Sequence, residues 1–148
     1  MTGPPRLDLD NYLPYLINRV GFALVDSFSR TLKLHQLSID MWRVLAVLSN
    51  NDSQRQIDLS GMTSIDASTM SRLVSRLVHM GLATRSRSET SSREVVVALS
   101  PKGRALVHRL IPVALGLEQT ASANLSARDL AVVKRLLRQM YGNFAKPR

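Results

Sequence analysis

The stretch IDASTMSRLVSRLVHMGLATRSR, residues 65–87, sets Met70, Leu73, Val74 and Leu77 on one side of a helix and Ser, Thr and Arg on the other. Asp66 is a natural N-cap for that helix, and Gly81 suits the position just past its end. After the glycine the period changes. Ala83–Arg87 and Glu94–Leu99 read as two short strands around the polar tip SETSS, the second of them rich in valine. A solvated helix face ordinarily mixes acids with Lys and Arg. Between Asp66 and Glu89 there is no carboxylate at all, and a surface without acids suits a polyanion.

The same periodicity extends to both chain ends. Leu13, Leu16, Ile17, Val20, Leu24, Phe28 and Leu32 mark a long amphipathic helix with Pro14 in its first turn, where the missing N–H does no harm. Ser38 opens a second helix through Met41, Val44, Leu45 and Leu48, closing in the turn-forming SNNDS, and QRQIDLSGM reads as a short third one. Ser100 and Pro101 restart a helix through Leu106, Leu110, Val113 and Leu117, in which Pro112 predicts a kink. A last helix opens with SARD and repeats Leu130, Val133, Leu137, Met140 and Phe144.

Helix, helix, helix, helix, hairpin, helix, helix is the order of a winged helix-turn-helix unit enclosed by long helices. The expected fold is mainly α with a small two-stranded β-wing. One domain is expected over residues 1–148, with 38–99 as the winged unit and 11–34 and 101–145 as helices that pair with a second copy. Those end helices carry apolar faces too broad for the middle unit to cover, so a homodimer is predicted.

Composition narrows the function. Zero cysteines among 148 residues exclude disulfides and thiolate metal sites and fit a reducing compartment. No apolar run approaches a membrane span and the start MTGPPRLDLD lacks signal-peptide order, so a cytoplasmic protein with no membrane partner is expected. The net charge of +9 lies in two blocks, +4 over residues 64–104 and +5 over 126–148. Such blocks suit nucleic acid or an anionic membrane surface. The three histidines lack metal-ligand spacing, and no glycine-rich phosphate loop or nucleophile elbow occurs. No enzyme, metal or cofactor is expected.

IDMWRVLAVL (39–48), IDASTMSRLVSRLVHMGLATR (65–85) and VVVALSPKGRAL (95–106) together resemble the MarR family, the multiple-antibiotic-resistance type of bacterial transcription regulator. The likeness runs from about residue 12 to 144, and the spacing from Gly81 to Gly103 is what the family shows across its wing. It implies a dimer on double-stranded DNA, recognising an inverted-repeat operator, and usually a repressor released by a small aromatic or anionic effector. Two departures stand out. The family's Asp-Arg-Arg near the wing tip falls on Ser91, Ser92 and Arg93, so the bracing acid is missing. Thr63 stands where a large apolar residue is usual, which shifts the expected packing to Met62 and Ile65.

A helix in the major groove reaches base edges with its N-terminal residues. Ser68, Thr69 and Arg72 are therefore the expected base-edge or nearby phosphate contacts, and Arg76 a phosphate contact. In the wing, Arg93 or Arg87 is expected in the minor groove, with Arg85 and Lys102 on the backbone. For an effector, the resemblance implies a cleft between the dimer helices and the winged unit. Candidates there are Arg19, Phe22, His35, Trp42 and Arg43, with an arginine pairing the carboxylate of an aromatic carboxylate, phenolic or thioester ligand. Two other readings fit the basic fold: an architectural DNA-binding protein of weak specificity, and a winged helix used for protein or RNA contact.

Overall fold

The computed structural model describes residues 3–91 and 93–145. Ser92 of the wing tip, and Lys146 and Arg148 of the terminal basic block, lie outside the described residues. Among the described residues six α-helices and three strands follow one another as α1 (Leu13–Lys33), α2 (Ile39–Asn50), β1 (Ser53–Arg55), α3 (Gln56–Thr63), α4 (Ala67–His79), β2 (Ala83–Arg87), β3 (Val95–Leu99), α5 (Pro101–Ala121) and α6 (Ala127–Phe144), after a 3-10 turn at Leu9–Asn11.

Local chemistry sets most of these boundaries. Ser38, Ser100 and Ser126 each accept a hydrogen bond from the backbone N–H three residues on, at 3.2, 2.9 and 3.0 Å, satisfying a donor that the first helical turn leaves orphaned. Helix α4 ends in a Schellman motif. Gly81 takes φ +73°, the Leu82 N–H donates to the Leu77 carbonyl at 2.9 Å, and the Gly81 N–H donates to that of Val78 at 3.0 Å. Gly103 is required for a different reason: a Cβ there would stand 1.9 Å from the Leu82 carbonyl oxygen. The close approach seats the first turn of α5 on the chain that leaves α4.

The sheet is antiparallel in the order β1-β3-β2. Ala83 to Arg87 run opposite Leu99 to Val95, as the hairpin pattern predicts. The third strand is an addition to the two expected. Ser53, Gln54 and Arg55 pair with Ala98, Val97 and Val96, so α3 starts at Gln56 and runs to Thr63 instead of beginning earlier in QRQIDLSGM. Helix α5 continues unbroken through Pro112 from residue 101 to residue 121.

The core collects where the second half of α1, α2, α3, α4, β3 and the first half of α5 meet. Leu32, Met41, Leu45, Leu59, Met70, Leu77, Val97 and Leu110 are all buried there. Burying a side chain of this size contributes about 1.5–3 kcal/mol before the entropy of ordering it is subtracted. Ile65 is buried ahead of α4, but Met62 is half exposed and Thr63 turns its hydroxyl back to the Leu59 carbonyl at 2.6 Å. Ile65 alone therefore takes over the packing expected of the pair. Helix α6 buries none of its residues. With the first half of α1 it walls an open apolar groove of about 430 Å³ that includes Leu16, Ile17, Val20, Leu136 and Leu137. Among the described residues no helix is long and apolar enough to cross a membrane.

Candidate nucleic-acid interface

Helix α4 is anchored by Met70, Val74 and Leu77, which are fully buried, so its opposite side must face outward. Ser68, Arg72, Ser75, Arg76 and His79 are exposed on that side and Thr69 is half-buried. The seven DNA-contact candidates thus divide into four on α4 (Ser68, Thr69, Arg72, Arg76) and three on the wing (Arg85, Arg87, Arg93). The wing also touches α4. Arg85, on β2, donates from Nη2 to the Ser75 hydroxyl at 3.0 Å, which fastens the base of the wing to the outer face of α4. Arg87 ends β2 opposite Val95, and Arg93 is exposed on the return of the wing.

The first turn of α4 has a polarity that composition does not reveal. Asp66 accepts from the Thr69 N–H at 2.9 Å, from the Thr69 hydroxyl at 2.7 Å and from the Ser68 hydroxyl at 2.8 Å. The Thr69 hydroxyl, then its N–H, then the Ser68 hydroxyl hold the Asp66 carboxyl well below the usual carboxylate range. An ionised carboxylate only accepts, so both hydroxyl protons point at Asp66. Thr69 also receives Arg72 Nη2 at 3.4 Å. What Ser68 offers outward is therefore a lone pair. A phosphate oxygen cannot use it, whereas the amino group of adenine or cytosine can.

Lys102, read from sequence as a backbone contact, donates to the Met80 carbonyl at 3.0 Å, at the far end of α4. Sequence reasoning missed a second cation. Arg55 donates to both oxygens of Asp58, at 2.7 and 3.1 Å, and to Glu94 at 2.9 Å. Arg55 and Asp58 are three residues apart, a spacing that signals a local pair, but nothing local points to Glu94.

The five effector candidates do not come together within one protomer. Arg19 lies over the Tyr15 ring, 5.7 Å from its centroid, and Phe22 is 74% exposed. Trp42 meets Phe28 edge-on at 5.2 Å and lines a recess of about 250 Å³ between α2 and α5. Arg43 is paired with Asp40 at 2.8 Å. His35 lines a separate cleft of about 430 Å³ with His79, Lys102 and Arg109. Helix faces explain the scatter, since docking against the core decides which side of α1 and α2 looks where.

A family model described as transcriptional regulator SarA/Rot matches residues 26–110, more than half of the chain. The chain belongs to this family of MarR-type, DNA-binding transcription regulators. This regulator is 28% identical over 131 residues to an HTH-type transcriptional repressor of Mycobacterium tuberculosis, a match that covers 88% of this chain and 94% of the relative. A MarR-family regulator from Silicibacter pomeroyi superposes on it with a TM-score of 0.86 at 26% identity, covering 97% of this chain and 99% of that one. BpsR of Bordetella bronchiseptica, whose DNA binding is described as regulated by 6-hydroxynicotinic acid, superposes with a TM-score of 0.83 at 27% identity, covering 94% and 98%.

Proposed function

We propose that this regulator is a repressor that acts as a homodimer, laying two copies of α4 in successive major grooves of an inverted-repeat operator. The observation that carries the reading is the outer face of α4, which bears Ser, Thr and Arg without a carboxylate while its inner face is locked into the core. On this reading Arg72 reaches a base edge, Ser68 accepts from a base amino group, and Arg76 and Arg85 meet phosphates. Arg93, with Arg87 beside it on the wing, enters the minor groove. The open apolar groove along α1 and α6 supports the dimer, because a surface of that kind is stabilised by a second copy. The end helices 11–34 and 101–145 are its dimer elements, and 38–99 the DNA-binding unit. The role is binding rather than catalysis.

The effector on this reading is a small aromatic carboxylate, phenol or thioester. Of the cavities lined by His35 and by Trp42, the His35 cleft suits an anion better: Lys102, Arg109 and His79 share it, and among the described residues no carboxylate lines it. It also joins the last turn of α4 to α5. An anion there shifts operator binding if its affinity differs between the DNA-competent and incompetent spacings of α4. A thermal-shift panel of such ligands checks the seat, with stabilisation expected to vanish in Arg109→Ala and to survive in Arg43→Ala.

The main reading is tested by measuring binding to the DNA upstream of the protein's own gene against an unrelated competitor. A gap of about a thousandfold or more is expected. A gap near unity would favour an architectural protein, and a preference for RNA would favour the third reading.

A further inference from the structure

Ser91 leaves the wing without the acid that the family resemblance leads one to expect at that position. We infer that Arg55, held by Asp58 and Glu94, does that bracing work from outside the wing and so aims Arg93. The inference rests on the minor-groove role proposed above for Arg93.

Arg55 is the last residue of β1, the strand opposite Val96 of β3. Its three guanidinium nitrogens are all engaged: Nε and Nη2 with the two oxygens of Asp58 on α3, and Nη1 with Glu94 Oε1. Such a fork fixes two carboxylates in its own plane, which a lysine cannot do. Glu94 is also where the wing closes. Its carbonyl accepts from the Ser88 N–H at 2.8 Å, and its own N–H donates to Ser91 at 3.2 Å. The guanidinium therefore holds the residue that shuts the wing and sits next to Arg93 in the chain. Arg55, Glu94 and Arg93 line one recess of about 230 Å³ together with Ala67, the first residue of α4. The clamp thus ties the wing to the elements that carry the recognition helix.

The signs of the charges exclude a simpler role. Arg55, Asp58 and Glu94 sum to −1, so the guanidinium has no net positive charge left to offer a phosphate. Arg55 is a positioning residue, and the cluster does not anchor DNA.

Glu94→Gln separates the two roles because they predict opposite signs. The substitution keeps the shape and removes a negative charge near DNA. If Arg55 were a phosphate contact or the cluster mere electrostatics, operator affinity would rise. If the clamp aims Arg93, affinity falls, by about threefold for a partly exposed pair. The measurement is operator binding by fluorescence anisotropy with the full-length dimer, on duplexes carrying either A·T or G·C pairs beneath the wing. Wild type is expected to prefer A·T flanks. Glu94→Gln and Arg93→Ala should both lose that preference, and the double variant should be no worse than Arg93→Ala alone. Arg55→Lys should behave like Glu94→Gln, since it keeps the charge and loses the fork. Retained flank preference in Glu94→Gln, with Arg93→Ala still defective, overturns the clamp and spares the wing reading. Unchanged binding in Arg93→Ala overturns both. Asp58→Asn supplies the same comparison if Glu94→Gln does not fold.

Discussion

Helices α4 and α6 look alike in sequence and end differently in the fold. Each has a polar cap, an apolar stripe and a basic opposite side. Helix α4 buries Met70, Val74 and Leu77 completely, whereas α6 buries nothing and leaves Leu137 45% exposed. One link from α6 back to its own chain is the ion pair of Lys134 with Glu118 of α5, and exposed pairs of this kind contribute little. Amphipathicity tells that a face wants cover and not what covers it. For α4 the cover is the protein's own core; for α6 we propose a second copy.

That contrast breaks most easily at α6. Leu137→Glu is expected to give a folded monomer by light scattering, with operator affinity down about a hundredfold because each half-site then binds alone. A dimer that persists removes α6 from the interface. Leu77→Ala in α4 sharpens the other half: it should cost about 2–5 kcal/mol in denaturant unfolding, since the site is fully packed. Leu137→Ala should cost far less, and its effect should depend on protein concentration.

The opposite face of α4 is probed by Arg72→Ala. Loss of a base contact should cost about 1–3 kcal/mol on the operator and much less on random DNA. An equal loss on both would make Arg72 a phosphate contact.

The smallest effect concerns the cap. The Asp66 carboxyl lies below its ordinary range in the folded chain because Thr69 and Ser68 donate to it. A depressed folded value means that the stabilisation is present above the unfolded carboxylate pKa, and is lost as pH falls through that value towards the folded one. Asp66→Ala should therefore lower the thermal midpoint by a few degrees at neutral pH, and the difference from wild type should shrink in acid, below about pH 4. A gap that stays constant with pH would contradict the cap's charge dependence.

What was legible in the sequence was mostly what is local. Ser38, Asp66, Ser100 and Ser126 cap their helices as read, because a cap depends on residues three apart. Strand β1 was not legible, since Ser53, Gln54 and Arg55 alternate no apolar residues and exist as a strand only through β3. Arg55 finds Glu94 39 residues away. The effector candidates scattered for a related reason: Trp42 packs on Phe28, and His35 faces α4 and α5, once the helices have docked. The α4 surface was readable as polar and acid-free, but the direction in which its hydroxyls donate came only with the Asp66 geometry.

Hydroxyl-radical footprinting on the upstream duplex, with wild type and Arg72→Ala side by side, addresses the central claim most directly. Wild type should protect two symmetric patches with centres about 10 base pairs apart, and Arg72→Ala should weaken both at the same protein concentration. Protection spread evenly along the duplex, or a pattern that Arg72→Ala leaves intact, would contradict the assignment of α4 as the element that reads DNA.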